Sequence, residues 1–204
     1  MTNLFKSHPW HGVSIGEKAP SIVTAFIEIT PTDTVKYEID KESGILKVDR
    51  PQLFSNFVPA LYGFVPQTYC KEEIAKLCMQ QTGLTGIEGD GDPLDILVLT
   101  EHPIAHGDIL VQAIPIGGLK MIDANQADDK IIAVLQKDAM YAHIEDIFQL
   151  PEAILQRLTH YFLTYKLYPG KTQPVEIPNI YGREEAMRVI EASRQDYNHY
   201  FSNP

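Results

Sequence analysis

Three aspartates, Asp90, Asp92 and Asp95, fall within six positions of the stretch "IEGDGDPLDILVLTEHP" (87–103). On extended backbone Asp90 and Asp92 share a face and Asp95 opposes them. Gly89 and Gly91 relax the backbone and Pro93 fixes one dihedral, so a turn can bring all three together. Carboxylates gathered this way repel one another and favour protonation unless a cation joins them. A hard divalent ion such as magnesium suits such a site, because it prefers oxygen ligands, keeps several waters and needs only one or two carboxylates. The calcium-loop pattern D-x-[DN]-x-[DN]-G-x5-E fails at Leu94. Alone, the spacing leaves a solvated acidic turn and a metal site both open.

A second acidic group adds weight to the metal. "GGLKMIDANQADDK" carries Asp123, Asp128, Asp129 and Lys130 directly after an apolar run. Asp129 reads as decoration of a polar loop, whereas Asp123 and Asp128 repeat the five-position spacing of Asp90 and Asp95. Lys36, Arg50, Lys130 and Lys166 are candidate cations for an anionic substrate, Arg as a fork for phosphoryl oxygens and Lys as a point charge. Tyr62 and Tyr165 can donate hydrogen bonds to the same oxygens. Acids for magnesium combined with bases for phosphate suggest metal-assisted phosphoryl transfer to water. A phosphatase acting on an organic phosphate is the nearest alternative.

Such side chains need a scaffold of turns and strand ends. "SIVTAFIEIT" alternates with Val23, Ala25, Ile27 and Ile29 on one face, and "VKYEID" and "ILKVDR" flank "KESG" as a hairpin that presents Lys36, Glu38 and Arg50 on a shared surface. "ILVLT", "DILVQAIPIGGL" and "DDKIIAVLQ" add further strands. Helices are expected at "KEEIAKLCMQQ", at "PEAILQRLTHYFLTYKLY" with Ile154, Leu155, Leu158, Phe162 and Tyr165 inward, and at "GREEAMRVIEASRQDYNHYF" with Ala186, Val189, Ile190, Ser193 and Tyr197 inward. Several short strands with late helices favour a closed or nearly closed β-barrel over a doubly wound parallel sheet.

The 204 residues suit one domain, residues 1–204, and the first 20 read as an arm or irregular cover. A formal net charge of -10 opposes non-specific attraction to nucleic acid or anionic membrane, and a basic-aromatic track for single strands is missing. No segment approaches the roughly 20 apolar residues of a membrane span, and the N-terminal stretch has no signal-like apolar core. Cys70 and Cys78 fit reduced thiols, which makes cytoplasmic residence the simplest expectation.

At this point the chain resembles the soluble family I inorganic pyrophosphatases. The resemblance rests on "KYEIDKESGILKVDR" (36–50), "DGDPLD" (90–95), "GGLKMIDANQADDK" (117–130) and "HYFLTYKLYPGK" (160–171), in that order. It implies a mainly β fold with flanking helices, a five-stranded OB-like closed β-barrel, and hydrolysis of inorganic diphosphate with several Mg²⁺ ions. It further implies Asp90, Asp95, Asp123 and Asp128 as metal ligands, Asp92 as the group that helps activate the attacking water, and Glu28 and Glu38 as supporting acids. Lys36, Arg50, Tyr62, Lys130, Tyr165 and Lys166 resemble the family's phosphate-binding groups. The family implies a homo-oligomer, with a hexamer common among bacterial members. Val58 stands where a hydroxyl-bearing Tyr is often found, and Ala124 follows Asp123 where an acid is common. Residues 67–88 are longer than the usual bacterial connection and read as a surface insertion within the domain.

Overall fold

The computed structural model describes residues 6–170 and 175–201; the first five residues of the expected arm, and Lys171 at the end of the last resemblance segment, lie outside them. The strands are β1 (Val23–Ile29), β2 (Val35–Ile39), β3 (Leu46–Pro51), β4 (Leu61–Phe64), β5 (Glu88–Gly89), β6 (Asp95–Leu99), β7 (Ile109–Asp123), β8 (Gln126–Ala127), β9 (Lys130–Leu135) and β10 (Val175–Gly182). The helices are α1 (Glu72–Thr82), α2 (Glu152–Thr164) and α3 (Arg183–Phe201). β2 and β3 form a separate hairpin, and the main sheet runs β1-β4-β6-β9-β7-β8-β5 with β10 attached to β7. β1 uses both edges, pairing antiparallel with β4 and with β7. β6–β9 and β5–β8 are parallel pairs.

The expected mainly β class with a five-stranded OB-like closed barrel is corrected in class and in strand number. The sheet has eight strands of mixed direction, and with three helices the fold is mixed α/β. The sequence conceals the additional strands for two reasons. β5 and β8 are two residues each, too short to show alternation, and β10 contains Pro178, which lowers its strand signal. β7 is long enough to serve several neighbours, meeting β1 at Ile109–Ala113, β9 at Ala113–Leu119 and β10 at 117–123.

Two departures from regular pairing aim side chains at the site. In β1 the register shifts between Ile27 and Ile29, so Ile27 packs in one apolar cluster and Ile29 in another. Glu28, between them, is buried, and its Oε1 accepts the Ile39 N–H at 2.6 Å, which stitches the hairpin to the main sheet. In the hairpin, Lys36 faces Arg50 but Tyr37 faces Val48, so Asp49 is the extra residue of a bulge. Gly63 allows β4 to approach β1 closely, since a Cβ there would lie 1.8 Å from the Phe26 carbonyl oxygen.

The helices cover the sheet with the stripes their periodicity predicts. Leu158, Phe162 and Tyr165 of the α2 segment are buried, with Ile154 and Leu155 packed beside them. All five expected inward residues of α3 are buried, and so is Asp196. The Asp196 carboxylate accepts the Lys71, Glu73 and Ile74 N–H groups at 2.9–3.2 Å, capping α1 from another helix where Lys71 supplies no cap of its own. Ile74 and Cys78 of α1 enter the main apolar cluster.

Asp129, expected on a polar loop, is instead buried. Lys120 Nζ lies 2.8 Å from its Oδ1, and the Tyr181 hydroxyl donates to the same oxygen at 2.9 Å. Removing one member of such a pair leaves an uncompensated interior charge. Lys120→Met is expected to destabilise the fold by about 3–5 kcal/mol, read from the urea unfolding midpoint and slope.

Burial, chiefly, pushes the Glu28 carboxyl up to about 8 from an ordinary 4.5, although the Ile39 hydrogen bond opposes the shift. The folded state therefore holds this proton more tightly than the unfolded chain. Its contribution is complete below the unfolded value and lost as pH rises through about 8. In metal-free buffer, Glu28→Gln is expected to lose less stability than the parent chain between about pH 5 and about pH 9. Urea melts at the two ends of that range make the comparison; equal losses would remove Glu28 as the cause.

Candidate active site

One cleft of about 600 Å³ collects the acidic and basic candidates. β1 brings Glu28, β2 Lys36 and Glu38, β3 Arg50, and β4 Tyr62. Asp90 and Asp92 lie in the loop between β5 and β6, with Asp95 opening β6 and Asp123 closing β7. Asp128 precedes β9, Lys130 opens that strand, and Tyr165 and Lys166 follow α2. All thirteen residues expected at a site line this cleft.

Parallel pairing sets its centre. Asp95 and Lys130 are register partners at the starts of β6 and β9, which places an acid and a cation side by side. The Lys130 ammonium donates to both Asp95 and Asp128, and the Tyr62 hydroxyl donates to Asp95 Oδ2 at 2.6 Å. Burial works against the Lys130 charge, but Asp128 and Asp95 outweigh it and hold the ammonium well above its ordinary pKa. Beneath it, Phe162 presents its ring 5.6 Å away and also packs on Tyr62 and Tyr165. The apolar stripe of α2 thus fixes the floor of a polar site.

A second cation group lies on the hairpin. Lys36 reaches Asp49 at 2.8 Å and Glu38 at 3.2 Å. Burial opposes its charge, while Asp49 and Glu38 raise its pKa overall. Arg50 pairs with Asp49 through one amino group, and its buried Nη2 has no hydrogen-bond partner among the described residues. Lys166 meets Asp123 at 2.5 Å. Asp49 and Lys41 line the cleft without having been picked out from the sequence. Alternation would turn Asp49 away from Arg50's face, and only the bulge brings both into the cleft.

The acid loop turns at Gly91, whose φ of +76° favours glycine, and the Asp92 N–H donates to Asp90 Oδ1 at 3.0 Å. Burial first, then repulsion from Asp128 and Asp92, pushes the Asp90 carboxyl up to about 8. That cost is what a divalent cation would relieve. Among the described residues no three acidic, imidazole or thiol groups form a finished metal cage. The carboxylates instead face each other across lysine ammonium groups. An all-oxygen donor set of this kind fits magnesium, which completes its shell with water and phosphate oxygens.

The two departures from the family pattern have local explanations. Val58 is 1% exposed and packs in the apolar cluster with Tyr62 and Phe162. Ala124 and Asn125, both with positive φ, form the two-residue turn between β7 and β8 and are exposed.

Residues 25–198 match the family model described as inorganic pyrophosphatase. The inorganic pyrophosphatase of Chlamydia trachomatis is 50% identical over 205 residues, with 98% of each chain covered. That of Chlamydia caviae is 52% identical over 199 residues, covering 95% of this chain and 92% of the relative. The crystal structure of the Thermus thermophilus inorganic pyrophosphatase matches with a TM-score of 0.78 and 31% identity, covering 95% of this chain and 99% of that one. With half its residues shared along nearly its whole length, the chain belongs to the soluble family I inorganic pyrophosphatases.

Proposed function

We propose that this cleft carries out the reaction of the family, magnesium-dependent hydrolysis of inorganic diphosphate to two phosphates, with Asp90, Asp95, Asp123 and Asp128 as the metal-holding carboxylates. The observation carrying this reading is the convergence of these four acids with Lys36, Arg50, Lys130 and Lys166 in one cleft, although they come from strands, loops and a helix end spread along the chain. Magnesium, when bound, supplies Lewis acidity that eases deprotonation of water and offsets charge on phosphoryl oxygens.

The chain's own groups account for the rest. Asp92, whose side chain is 48% exposed at the cleft mouth, orients the attacking water and accepts its proton. The water oxygen bonds to one phosphorus as the bridging P–O bond breaks, and the bridging oxygen leaves with the second phosphate. Lys36, Arg50 and Tyr165 stabilise that departing group, and the free Arg50 Nη2 offers a donor for it. Tyr62, Lys130 and Lys166 hold phosphate oxygens, while Glu28 and Glu38 support the site as surrounding acids. No covalent enzyme intermediate is needed.

Cytoplasmic residence and homo-oligomer formation, a hexamer included, belong to the same proposal. The buried, unpaired Cys70 and Cys78 support the first. No helix among the described residues is long and apolar enough to cross a membrane. Sedimentation of the purified chain measures the assembly.

Phosphate release from diphosphate, measured with and without Mg²⁺ beside a nucleotide and a sugar phosphate, tests the substrate. Magnesium-dependent turnover of diphosphate is expected, and a better organic substrate would overturn the reading. Asp92→Asn is expected to lower kcat by about 10²–10⁴-fold. Undiminished turnover would remove Asp92 from its role.

A further inference from the structure

The hairpin and the acid loop belong to different sheets, yet one side chain joins them across the cleft mouth. Lys41 lies two residues past the end of β2, and its ammonium pairs with Asp92 Oδ1 and also donates to the Gly91 carbonyl oxygen at 3.2 Å. Among the described residues it is the only cation paired with Asp92; Lys130 serves Asp95 and Asp128, and Lys166 serves Asp123.

The backbone that delivers Lys41 is held in place. Asp40 accepts from Ser43 N–H at 2.9 Å and from its hydroxyl at 2.7 Å, closing the turn after β2. His8 Nε2 lies 3.2 Å from the Lys41 carbonyl oxygen. Gly44 lets the same turn rest against the arm, because a Cβ there would be 2.8 Å from His8 and from Pro9. The arm therefore fixes the turn, and the turn presents the ammonium.

We propose that Lys41 is a positioning residue for diphosphate hydrolysis, holding the Asp92 carboxylate and the Gly91 carbonyl together so that Asp92 faces the attacking water. This rests on the function proposed above. Asp92 stands two and three positions from Asp90 and Asp95, and repulsion among the three carboxylates drives it outward when nothing fixes the loop. Two contacts from one ammonium set both the position of the loop and the direction of the carboxylate. Lys41 and Asp92 are each about half exposed, so the pair adds little to global stability. A small displacement of a reacting group, by contrast, costs turnover heavily.

The test compares Lys41→Met, Lys41→Gln and Lys41→Arg with the parent chain at saturating Mg²⁺. Both neutral variants are expected to lower kcat by about 10–100-fold, with KM for magnesium diphosphate within about twofold and Tm within about 2 °C. Arg, which restores the cation, is expected to recover most of the loss. Unchanged kcat in the neutral variants overturns the proposal. So does a loss expressed mainly in KM, which would make Lys41 a substrate-binding group, a loss that Arg leaves uncorrected, or a Tm drop of many degrees in both neutral variants. Failure of the parent chain itself to hydrolyse diphosphate would refute the function; parent turnover with undiminished Lys41→Met would refute only the role of Lys41.

Discussion

The governing constraint is the concentration of negative charge in one cleft. Seven aspartates and three glutamates from separate parts of the chain line one opening, and water cannot screen the buried ones well. The fold answers with cations fixed in place. Lys130 is set between Asp95 and Asp128 by strand register, Lys166 meets Asp123 from the end of α2, and Lys36 sits between Glu38 and Asp49 on the hairpin. Where compensation is incomplete, at Asp90, the carboxyl is pushed up to about 8. A divalent ion and an anionic substrate together extend the same charge pattern, since one adds the positive charge the acids lack and the other engages the bases.

That pattern depends on apolar packing as much as on ions. Phe162 lies under Lys130 and touches Tyr62 and Tyr165, so three of the polar groups are aimed by one buried ring. Fully burying a Phe side chain contributes about 1.5–3 kcal/mol to folding, and here the same contact also limits where the charged atoms can go. The interior ion pair Lys120–Asp129 is separate. It lies behind the site, closed by Tyr181, and ties β7 to the start of β9.

Much of the site was readable because its chemistry is local in sequence. "DGDPLD" and "DANQADDK" advertise their acids by spacing, and α2 and α3 advertise their buried stripes by period. Asp49 was not readable, because a bulge reverses the face that alternation assigns to it. Asp129 looked like a loop residue because its partner Lys120 sits nine positions earlier inside an apolar run, where a charge is easily taken for an interruption. Lys41 belongs to a turn and meets Asp92 only through tertiary folding. The architecture was misjudged for a related reason. β10, with its proline, and the two-residue strands β5 and β8 gain their identity from pairing with β7 and with each other, not from their own composition.

The parallel register of β6 and β9 has a consequence for how the chain reaches its working state. Asp95 and Lys130 become neighbours only when segments 35 residues apart have paired, with β7 antiparallel to β9 on the far side. Contacts of such sequence separation carry a large loop-closure entropy and form slowly. Among the described residues no single hairpin or helix brings all four metal-holding aspartates together. The charge centre exists only after long-range closure, so its appearance in time reports the completion of the fold itself.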